Sequence, residues 1–167
     1  MTRELLLMRH AKSSHHDAGV DDFDRPLIKR GVTAASHAGS SLLTLKLVPD
    51  CIICSPSRRT RETARLLCEK SHFAQDSIIY EQSIYGADLD DLLEIISSVS
   101  SDFQRPMIIG HNPAMDSLLI YLCGNRLPRT GKGKLMTTAS IARISMPDNW
   151  HDLPRICAKL VSLIRPG

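Results

Sequence analysis

The chain has 167 residues, of which 43% are hydrophobic and 23% charged, and its formal net charge is +3. This is the length of one ordinary domain, and these proportions exclude disordered and fibrous proteins. No apolar run approaches the roughly twenty residues that span a bilayer, and the opening Thr2-Arg3-Glu4 lacks the apolar core of a signal peptide. We therefore expect a single domain over residues 1–167 that is cytoplasmic and makes no membrane contact.

The cationic residues are scattered along the chain instead of being gathered in one block. This distribution argues against a nucleic-acid surface and leaves room for a local cationic pocket. The cysteines are odd in number, and Cys51 and Cys54 enclose two isoleucines in what reads as one apolar strand. Because no second pair completes a zinc site, we expect buried free thiols.

Apolar runs and helical periodicity alternate along the chain. Predicted strands cover residues 5–8, 51–54, 77–80, 107–110, 138–146 and 155–164. Predicted helices cover residues 29–46, 56–70, 89–99 and 113–124. This alternation implies an α/β fold, a three-layer α/β/α sandwich with a mostly parallel central sheet and right-handed crossovers.

Polar residues and prolines mark the starts of three helices. Ser55-Pro56 and Asn112-Pro113 each place a capping side chain before a proline, which is favoured at the first helical position. Asp88 is the predicted cap of the third helix. These signals predict where the chain leaves the second, third and fourth strands.

Three predicted strands end in polar groups, in Arg9-His10, in the run from Ser55 to Arg59, and in His111-Asn112. Ligands bind at the carboxyl ends of parallel strands, because the following helices direct their free amides there. If these strands are neighbours, two imidazoles and two guanidinium groups meet around one small cavity. Such a concentration of positive charge requires an anion, and tetrahedral phosphate matches arginine forks and helix amides.

A neutral imidazole in such a cavity is a competent nucleophile near neutral pH. Attack of one ring nitrogen on phosphorus gives a phosphohistidine intermediate. The other ring nitrogen must then carry a proton and be held by an acceptor, for which a backbone carbonyl is the expected group.

Four motifs occur in order along the chain. They are Leu-Leu-Met-Arg-His-Ala-Lys-Ser around Arg9-His10, Asp24-Arg25-Pro26-Leu27 followed by Arg30-Gly31, Ser55-Pro56-Ser57-Arg58-Arg59 with Glu62-Thr63-Ala64, and Gly110-His111-Asn112-Pro113. Together they resemble the histidine phosphatase superfamily, which has a phosphoglycerate mutase-like fold, and within it the small SixA-type phosphohistidine phosphatases. The resemblance extends over residues 4–153.

The resemblance implies roles for the residues that match each motif. His10 corresponds to the nucleophile, Arg9 and Arg59 to the two phosphate-binding arginines, and His111 to the second histidine of the pocket. Arg25 is implied as an extra substrate contact, because its motif lies next to the pocket in the family. Ile28 stands where the family usually has threonine, which removes a helix cap. The resemblance implies neither a metal nor a cofactor.

A phosphomonoesterase must protonate its leaving group, and larger family members supply a carboxylate from an inserted segment. Glu81, after the third strand, is the best-placed candidate by position, with Asp88 second, and the alternative is a solvated loop carboxylate. The imidazole that leaves a phosphohistidine needs a strong acid less. The short chain therefore favours a phosphohistidine-bearing protein as the phosphorylated substrate.

Other readings remain open at this stage. His15 and His16 could join His10 in a metal site, although adjacent loop histidines are usually solvated. The loop over residues 125–134 carries four cations that could bind an acidic partner or simply face solvent. The chain could also be a small-molecule phosphomonoesterase or a non-catalytic phosphate-binding module. We expect a monomer that binds no nucleic acid.

Overall fold

The computed structural model describes residues 2–15 and 19–166, which build a six-stranded sheet. The strands are β1 (Glu4–Arg9), β2 (Cys51–Cys54), β3 (Ile78–Tyr80), β4 (Pro106–Gly110), β5 (Ile141–Ser145) and β6 (Lys159–Ile164). Their order across the sheet is β3-β2-β4-β1-β5-β6. The first four of these pair in parallel, whereas β5 runs antiparallel to both β1 and β6. The predicted, mostly parallel sheet is confirmed.

Four helices cover the two faces of the sheet, so the predicted α/β/α sandwich is confirmed. They are α1 (Lys29–Thr44), α2 (Arg58–Ser71), α3 (Leu89–Ser97) and α4 (Ala114–Cys123). Successive side chains of β1 point to opposite faces. Leu6 belongs to the core that contains apolar residues of α1 and α2, and Leu7 to the core that contains those of α3 and α4.

The last two strands are shorter than the sequence predicts, because the chain turns before each one. Residues 138–140 belong to a turn instead of to β5, with Ala139 at a φ of +62°. The Ala139 amide donates to the backbone carbonyls of Arg9 and His10, both at 3.0 Å. The start of β5 is thereby joined to the end of β1.

The predicted first turn of α2 is wrong. The helix begins at Arg58, and Ser55-Pro56 stays outside it. The Ser55 hydroxyl is 2.8 Å from His111 Nε2 and makes no cap bond to α2. Ser55 therefore contacts His111 at the strand ends instead of capping the helix.

The other helix starts agree better with the sequence. Asp88 caps α3 in a reciprocal capping box with Asp91, as predicted. Ile28 precedes α1 and makes no side-chain cap bond, which is the loss expected from its side chain. At α4 the helix begins one residue after the predicted Pro113, and Asn112 Oδ1 accepts from the Asp116 amide at 3.1 Å.

The helices α1 and α2 approach each other closely at Gly39. A Cβ added to this glycine would lie 2.4 Å from the Leu67 carbonyl oxygen. Gly31 is equally restricted, since its Cβ would lie 2.1 Å from the Lys12 carbonyl oxygen. Glycine at these positions lets α1 pack against α2 and against the loop that follows His10.

All five cysteines are free, and Cys51, Cys54 and Cys68 are buried while Cys123 and Cys157 are partly buried. Burial raises the pKa of the Cys68 thiol to about 11, which keeps it in the unreactive thiol form. None of the helices in the described ranges has both the length and the apolar character needed to cross a membrane.

Candidate active site

The carboxyl ends of β2, β4 and β1 lie side by side, because these strands are consecutive in the sheet. They border a cavity of about 550 Å³. Its lining consists of Arg9, His10, Lys12, Ser13, His15, Asp22, Arg25, Arg59, Tyr85, Gly86, His111, Asn112 and Thr138. The structure thus brings together five of the predicted site residues, namely Arg9, His10, Arg25, Arg59 and His111.

His10 follows the last residue of β1 and is held in place by two hydrogen bonds. Its amide donates to the Gly110 carbonyl at 3.1 Å, which ties it to the end of β4. Its ring Nδ1 lies 2.7 Å from the Ala11 carbonyl oxygen. A carbonyl only accepts hydrogen bonds, so Nδ1 carries the proton and Nε2 keeps the lone pair. This is the tautomer that a nucleophilic Nε2 requires.

His10 and His111 are both neutral at physiological pH, because their pKa values are lowered. Burial, followed by the charges of His111, Arg59 and Arg9, lowers the pKa of His10 to about 3. Burial, followed by the charge of Arg59, lowers the pKa of His111 to about 4. The two ring centroids are 5.3 Å apart. The two neutral rings thus lie next to each other, and His10 offers the lone pair of its Nε2.

Arg9 and Arg59 are two of the four Lys and Arg side chains that line the cavity, the others being Lys12 and Arg25. Arg9 is held by the segment that precedes β5, since its Nη1 donates to the Met136 carbonyl at 3.0 Å. The side chain of Arg59, on the first turn of α2, is only 7% exposed. The Nε atoms of both arginines are buried and have no hydrogen-bond partner within the described residues. Buried donors of this kind favour an anion as their partner.

His111 completes the ring of groups around the cavity. Its Nε2 and the Ser55 hydroxyl are 2.8 Å apart, while its buried Nδ1 has no partner among the residues described. Tyr85 packs edge-on against the ring, with centroids 5.7 Å apart. His111 is therefore fixed on two sides, with one ring nitrogen left for a ligand.

Asp22 is a site residue that the sequence did not reveal. It lies on a 3₁₀ helix at Asp22–Asp24, and its Oδ2 accepts from Arg59 Nη2 at 3.1 Å and from the Tyr85 hydroxyl at 2.7 Å. Its Oδ1 accepts from Arg25 Nε at 3.0 Å. The hydrogen bond from Tyr85, followed by those from Arg25 and Arg59, holds the pKa of Asp22 well below its usual range. The cavity thus contains an ionised carboxylate that balances part of its positive charge.

Arg25 lines the cavity as the resemblance implies, but it is held by protein groups. Besides Asp22, it donates to the Ser13 hydroxyl at 3.1 Å and to the Ser14 carbonyl. Its guanidinium therefore clamps the loop after β1 onto the 3₁₀ helix. Release of Asp22 would be needed before the whole guanidinium could turn toward a ligand.

The two carboxylates predicted as acids lie elsewhere. Glu81 is not in the cavity lining, and its carboxylate accepts from the amide and the hydroxyl of Ser83, at 3.3 and 2.7 Å. Asp88 is engaged in the capping box of α3. The carboxylate that the fold does bring into the cavity is that of Asp22.

The site residues that sequence reasoning missed are brought together by contacts between loops. Asp22 and Tyr85 are 63 positions apart, and their contact depends on how two loops meet above the sheet. The only signal for Asp22 was its place in an acidic stretch two residues before the Asp24-Arg25 motif. Lys12 lies inside the first motif and could have been selected as a fourth cation of the cavity, after Arg9, Arg25 and Arg59.

The metal hypothesis gains little from the geometry. His15 lines the cavity together with His10, whereas His16 lies outside the described residues. Within the described ranges, no three His, Cys, Asp or Glu side chains are grouped so that they could hold a metal ion.

The chemistry of this cavity is that of phosphoryl groups. Guanidinium groups bind the oxygens of a phosphoryl group, and a neutral imidazole can attack its phosphorus. An α/β sandwich with these groups at adjacent strand ends defines the class, an enzyme that acts on phosphoryl groups.

The relatives of the chain agree with this class. Residues 5–84 match the histidine phosphatase superfamily (branch 1). An uncharacterized protein of Mycobacterium tuberculosis is 30% identical over 164 residues, which cover 95% of this chain and 99% of the relative. The chain belongs to the histidine phosphatase superfamily, as its motifs predicted, and it is a phosphatase.

Two solved structures place the fold among the SixA-type members. A SixA protein from Nakamurella multipartitia, described as a candidate phosphohistidine phosphatase, is 28% identical, with a TM-score of 0.81 over 99% of this chain and 97% of the other. One from Agrobacterium tumefaciens with the same description is 24% identical, with a TM-score of 0.85 and 99% coverage of both chains. The SixA-type architecture therefore extends over nearly the whole chain.

Proposed function

We propose that the chain is a phosphohistidine phosphatase that acts through a covalent phosphohistidine intermediate on His10, without a metal ion or other cofactor. The observation that carries this proposal is the contact of His10 Nδ1 with the Ala11 carbonyl, which directs the lone pair to Nε2. This imidazole shares one cavity with Arg9, Arg59 and His111. The four side chains that the proposed reaction uses thus share one cavity, which supports the proposal.

The reaction has two displacements at phosphorus. In the first, Nε2 of His10 forms a bond to phosphorus while the bond from phosphorus to the substrate nitrogen breaks, and that nitrogen takes up a proton. In the second, the oxygen of a water molecule bonds to phosphorus, the bond to Nε2 breaks, and the water gives up a proton. The products are the dephosphorylated substrate and inorganic phosphate, with His10 neutral again. This is ordinary nucleophilic catalysis.

The two guanidinium groups stabilise the charge that builds up on the phosphoryl oxygens. The Nε atoms of Arg9 and Arg59 are buried and have no partner in the described chain. These two N–H groups can therefore bind an oxygen without first breaking a protein contact. Donors fixed in advance in a partly dry cavity are worth far more than donors in water. The His111 Nδ1, also buried and unpartnered, is a third group that can contact the phosphoryl oxygens.

The proposed substrate class is supported by the proton donors of the described cavity, none of which is a protonated carboxylic acid. Among the residues that the structure describes, the carboxylate in the lining is that of Asp22, and its hydrogen bonds from Tyr85, Arg25 and Arg59 keep it ionised. An alkoxide leaving group requires a strong proton donor, whereas the imidazole of a phosphohistidine leaves after one easy protonation. The SixA proteins described as phosphohistidine phosphatases support the same substrate class.

The test is a turnover assay with the pure protein and a chelator. We expect release of phosphate from phosphohistidine, slower release from an aryl phosphate, and loss of both in His10→Ala. Rapid turnover of the aryl phosphate alone would identify a small-molecule phosphomonoesterase. Phosphate binding without turnover of either compound would identify a non-catalytic phosphate-binding module.

A further inference from the structure

A groove opens next to the catalytic cavity, between α1 and the last two strands. Its volume is about 1120 Å³, compared with about 550 Å³ for the cavity that contains His10. Lys12 and Thr138 line both, so the two spaces adjoin. A phosphoryl group alone fills only a small part of the cavity, and nothing in its hydrolysis requires a neighbouring space of this size.

The groove is strongly cationic. Lys12, Lys29, Arg30 and Arg165 line it, and no carboxylate does so within the described residues. None of these four side chains forms an ion pair in the part of the chain that the structure describes. The positive charge is therefore available to an external acidic group, and it lies beside the place where phosphate is expected to bind.

The groove also has an apolar floor. It is formed by Ala34 and Ala38 of α1, Leu45 after the helix, and Ile141 and Ile164 of the last two strands. Leu45 is 52% exposed and therefore offers apolar surface to a ligand in the groove. Cations above an apolar floor fit an amphipathic segment, such as a helix that has carboxylates along the edges of its apolar face.

Nucleic acid fits this groove less well than a protein does. Single strands bind where bases stack on aromatic rings, and the described lining contains no Phe, Tyr or Trp. The apolar residues of the floor would gain nothing from contact with a phosphodiester chain. A protein segment uses both the floor and the cations.

We propose that this groove, which we call the α1 groove, binds an acidic amphipathic segment of the phosphorylated protein substrate, while the phosphorylated side chain enters the cavity of His10. The inference rests on the proposed function, because only a protein-borne phosphohistidine brings such a segment with it. Lys12, at the junction of the two spaces, would contact both parts of the substrate. The α1 groove then selects among phosphorylated proteins by the charge around the modified residue.

Two synthetic peptides of equal length, each with one central phosphohistidine, test the inference. One has glutamate and leucine on both sides of the histidine, and the other has lysine and leucine. We expect kcat/KM to be about tenfold or more higher for the acidic peptide, as charge complementarity predicts. A fluorescent, unphosphorylated copy of the acidic peptide measures binding without any turnover.

The variant is Lys29→Glu combined with Arg30→Glu. Both residues line the α1 groove but not the cavity, and both are exposed in the first turn of α1, where acidic side chains favour the helix. We expect the variant to lose the preference for the acidic peptide and to keep wild-type turnover of free phosphohistidine. The matched control is Arg61→Glu with Arg65→Glu, two exposed arginines of α2 that line a separate cavity. The control should keep the preference.

The outcomes separate this inference from the proposed function. Equal binding of the acidic peptide to wild type and to the α1 groove variant overturns the inference, and so does a loss confined to the control. Tighter binding of a labelled single-stranded oligonucleotide than of the acidic peptide, abolished in the groove variant, overturns it in favour of nucleic acid. Failure of the wild type to dephosphorylate free phosphohistidine counts against the proposed function, whatever the binding experiment gives.

Discussion

Asp22 holds the guanidinium of Arg59 with both its carboxylate and its backbone. Arg59 Nη2 donates to Asp22 Oδ2 at 3.1 Å, and Arg59 Nη1 donates to the Asp22 carbonyl at 2.7 Å. Both outer nitrogens of the proposed phosphate-binding arginine are thus already engaged by Asp22, Nη2 by its carboxylate and Nη1 by its backbone carbonyl. A phosphoryl group that binds Nη2 must displace the Asp22 carboxylate.

Asp22→Asn should therefore bind inorganic phosphate more tightly than the wild type. The carboxylate is half exposed, so we expect a three- to tenfold lower inhibition constant, roughly the effect of one partly solvated charged hydrogen bond. Competitive inhibition of aryl phosphate hydrolysis by phosphate measures it. Asp24→Asn, on the same 3₁₀ helix, is the matched control. Weaker phosphate binding by Asp22→Asn would show that Asp22 positions Arg59 instead of competing for it.

Arg59→Ala should lower kcat/KM by two to three orders of magnitude, since loss of one preorganised donor to a charged transition state costs about 2.7 to 4 kcal/mol. The adjacent Arg58 provides the control, because its side chain is 51% exposed and lies outside the cavity lining, whereas that of Arg59 is 7% exposed. Steady-state kinetics on phosphohistidine compares the two variants. Similar losses in both would contradict the assignment of Arg59.

Glu81→Gln should change the turnover of phosphohistidine by less than about threefold. A working general acid contributes roughly a hundredfold or more, but the Glu81 carboxylate is bound to Ser83 and does not line the cavity. The measurement is kcat over pH 5 to 9 with phosphohistidine and with an aryl phosphate. A hundredfold loss with the aryl phosphate alone would restore Glu81 as the acid for ester substrates.

The folded protein should lose stability as the pH falls below the ordinary pKa of histidine. The pKa of His10 is about 3 and that of His111 about 4 in the fold, while an unfolded chain binds the same protons near pH 6.5. Lowering the pH from about 6.5 to 4 therefore stabilises the unfolded state, by up to about 1.4 kcal/mol per pH unit for each histidine. Urea unfolding at several pH values measures this slope. His10→Gln should reduce the slope, and an unchanged slope would contradict the buried, neutral state of His10.

Gly39→Ala should destabilise the fold, because its Cβ would lie 2.4 Å from the backbone of α2 at Leu67. Overpacking of this kind costs about 1 to 3 kcal/mol. The exposed Gly131 has no heavy atom within 4 Å of its would-be Cβ, so Gly131→Ala is the control and should leave the melting temperature unchanged. If both variants melt together, the two helices are less closely packed than described.

Sequence reasoning located the parts of the site that lie within short motifs. His10 and His111 each follow directly on a strand, and Arg59 lies on the first turn of the helix after β2, so the order of the strands brings the three together. The α/β fold followed for the same reason, since apolar runs and helical periodicity are local signals. The antiparallel direction of β5 was not readable, because direction depends on how a strand pairs in space.

Contacts between loops escaped prediction. Asp22 meets Tyr85 and Arg59 only after the loop that follows β1 has folded back over the strand ends. The start of α2 was misplaced because Ser55 has the residue type of a helix cap but instead pairs with His111. In both cases a residue that is distant in sequence determines the local structure, and a single sequence does not show which residues will be in contact.

The antiparallel course of β5 has a consequence for how relatives of this chain could differ. Because β5 is antiparallel to β1, β5 begins next to His10, where β1 ends. The segment that leads into β5, residues 124–140, supplies the Met136 carbonyl that binds Arg9 and the Ala139 amide that binds the end of β1. Residues 125–134 lie before these anchors, so they can be lengthened without changing strand pairing or the position of the nucleophile. This segment is therefore a place where relatives of the chain can differ in length while the Met136 and Ala139 contacts are kept.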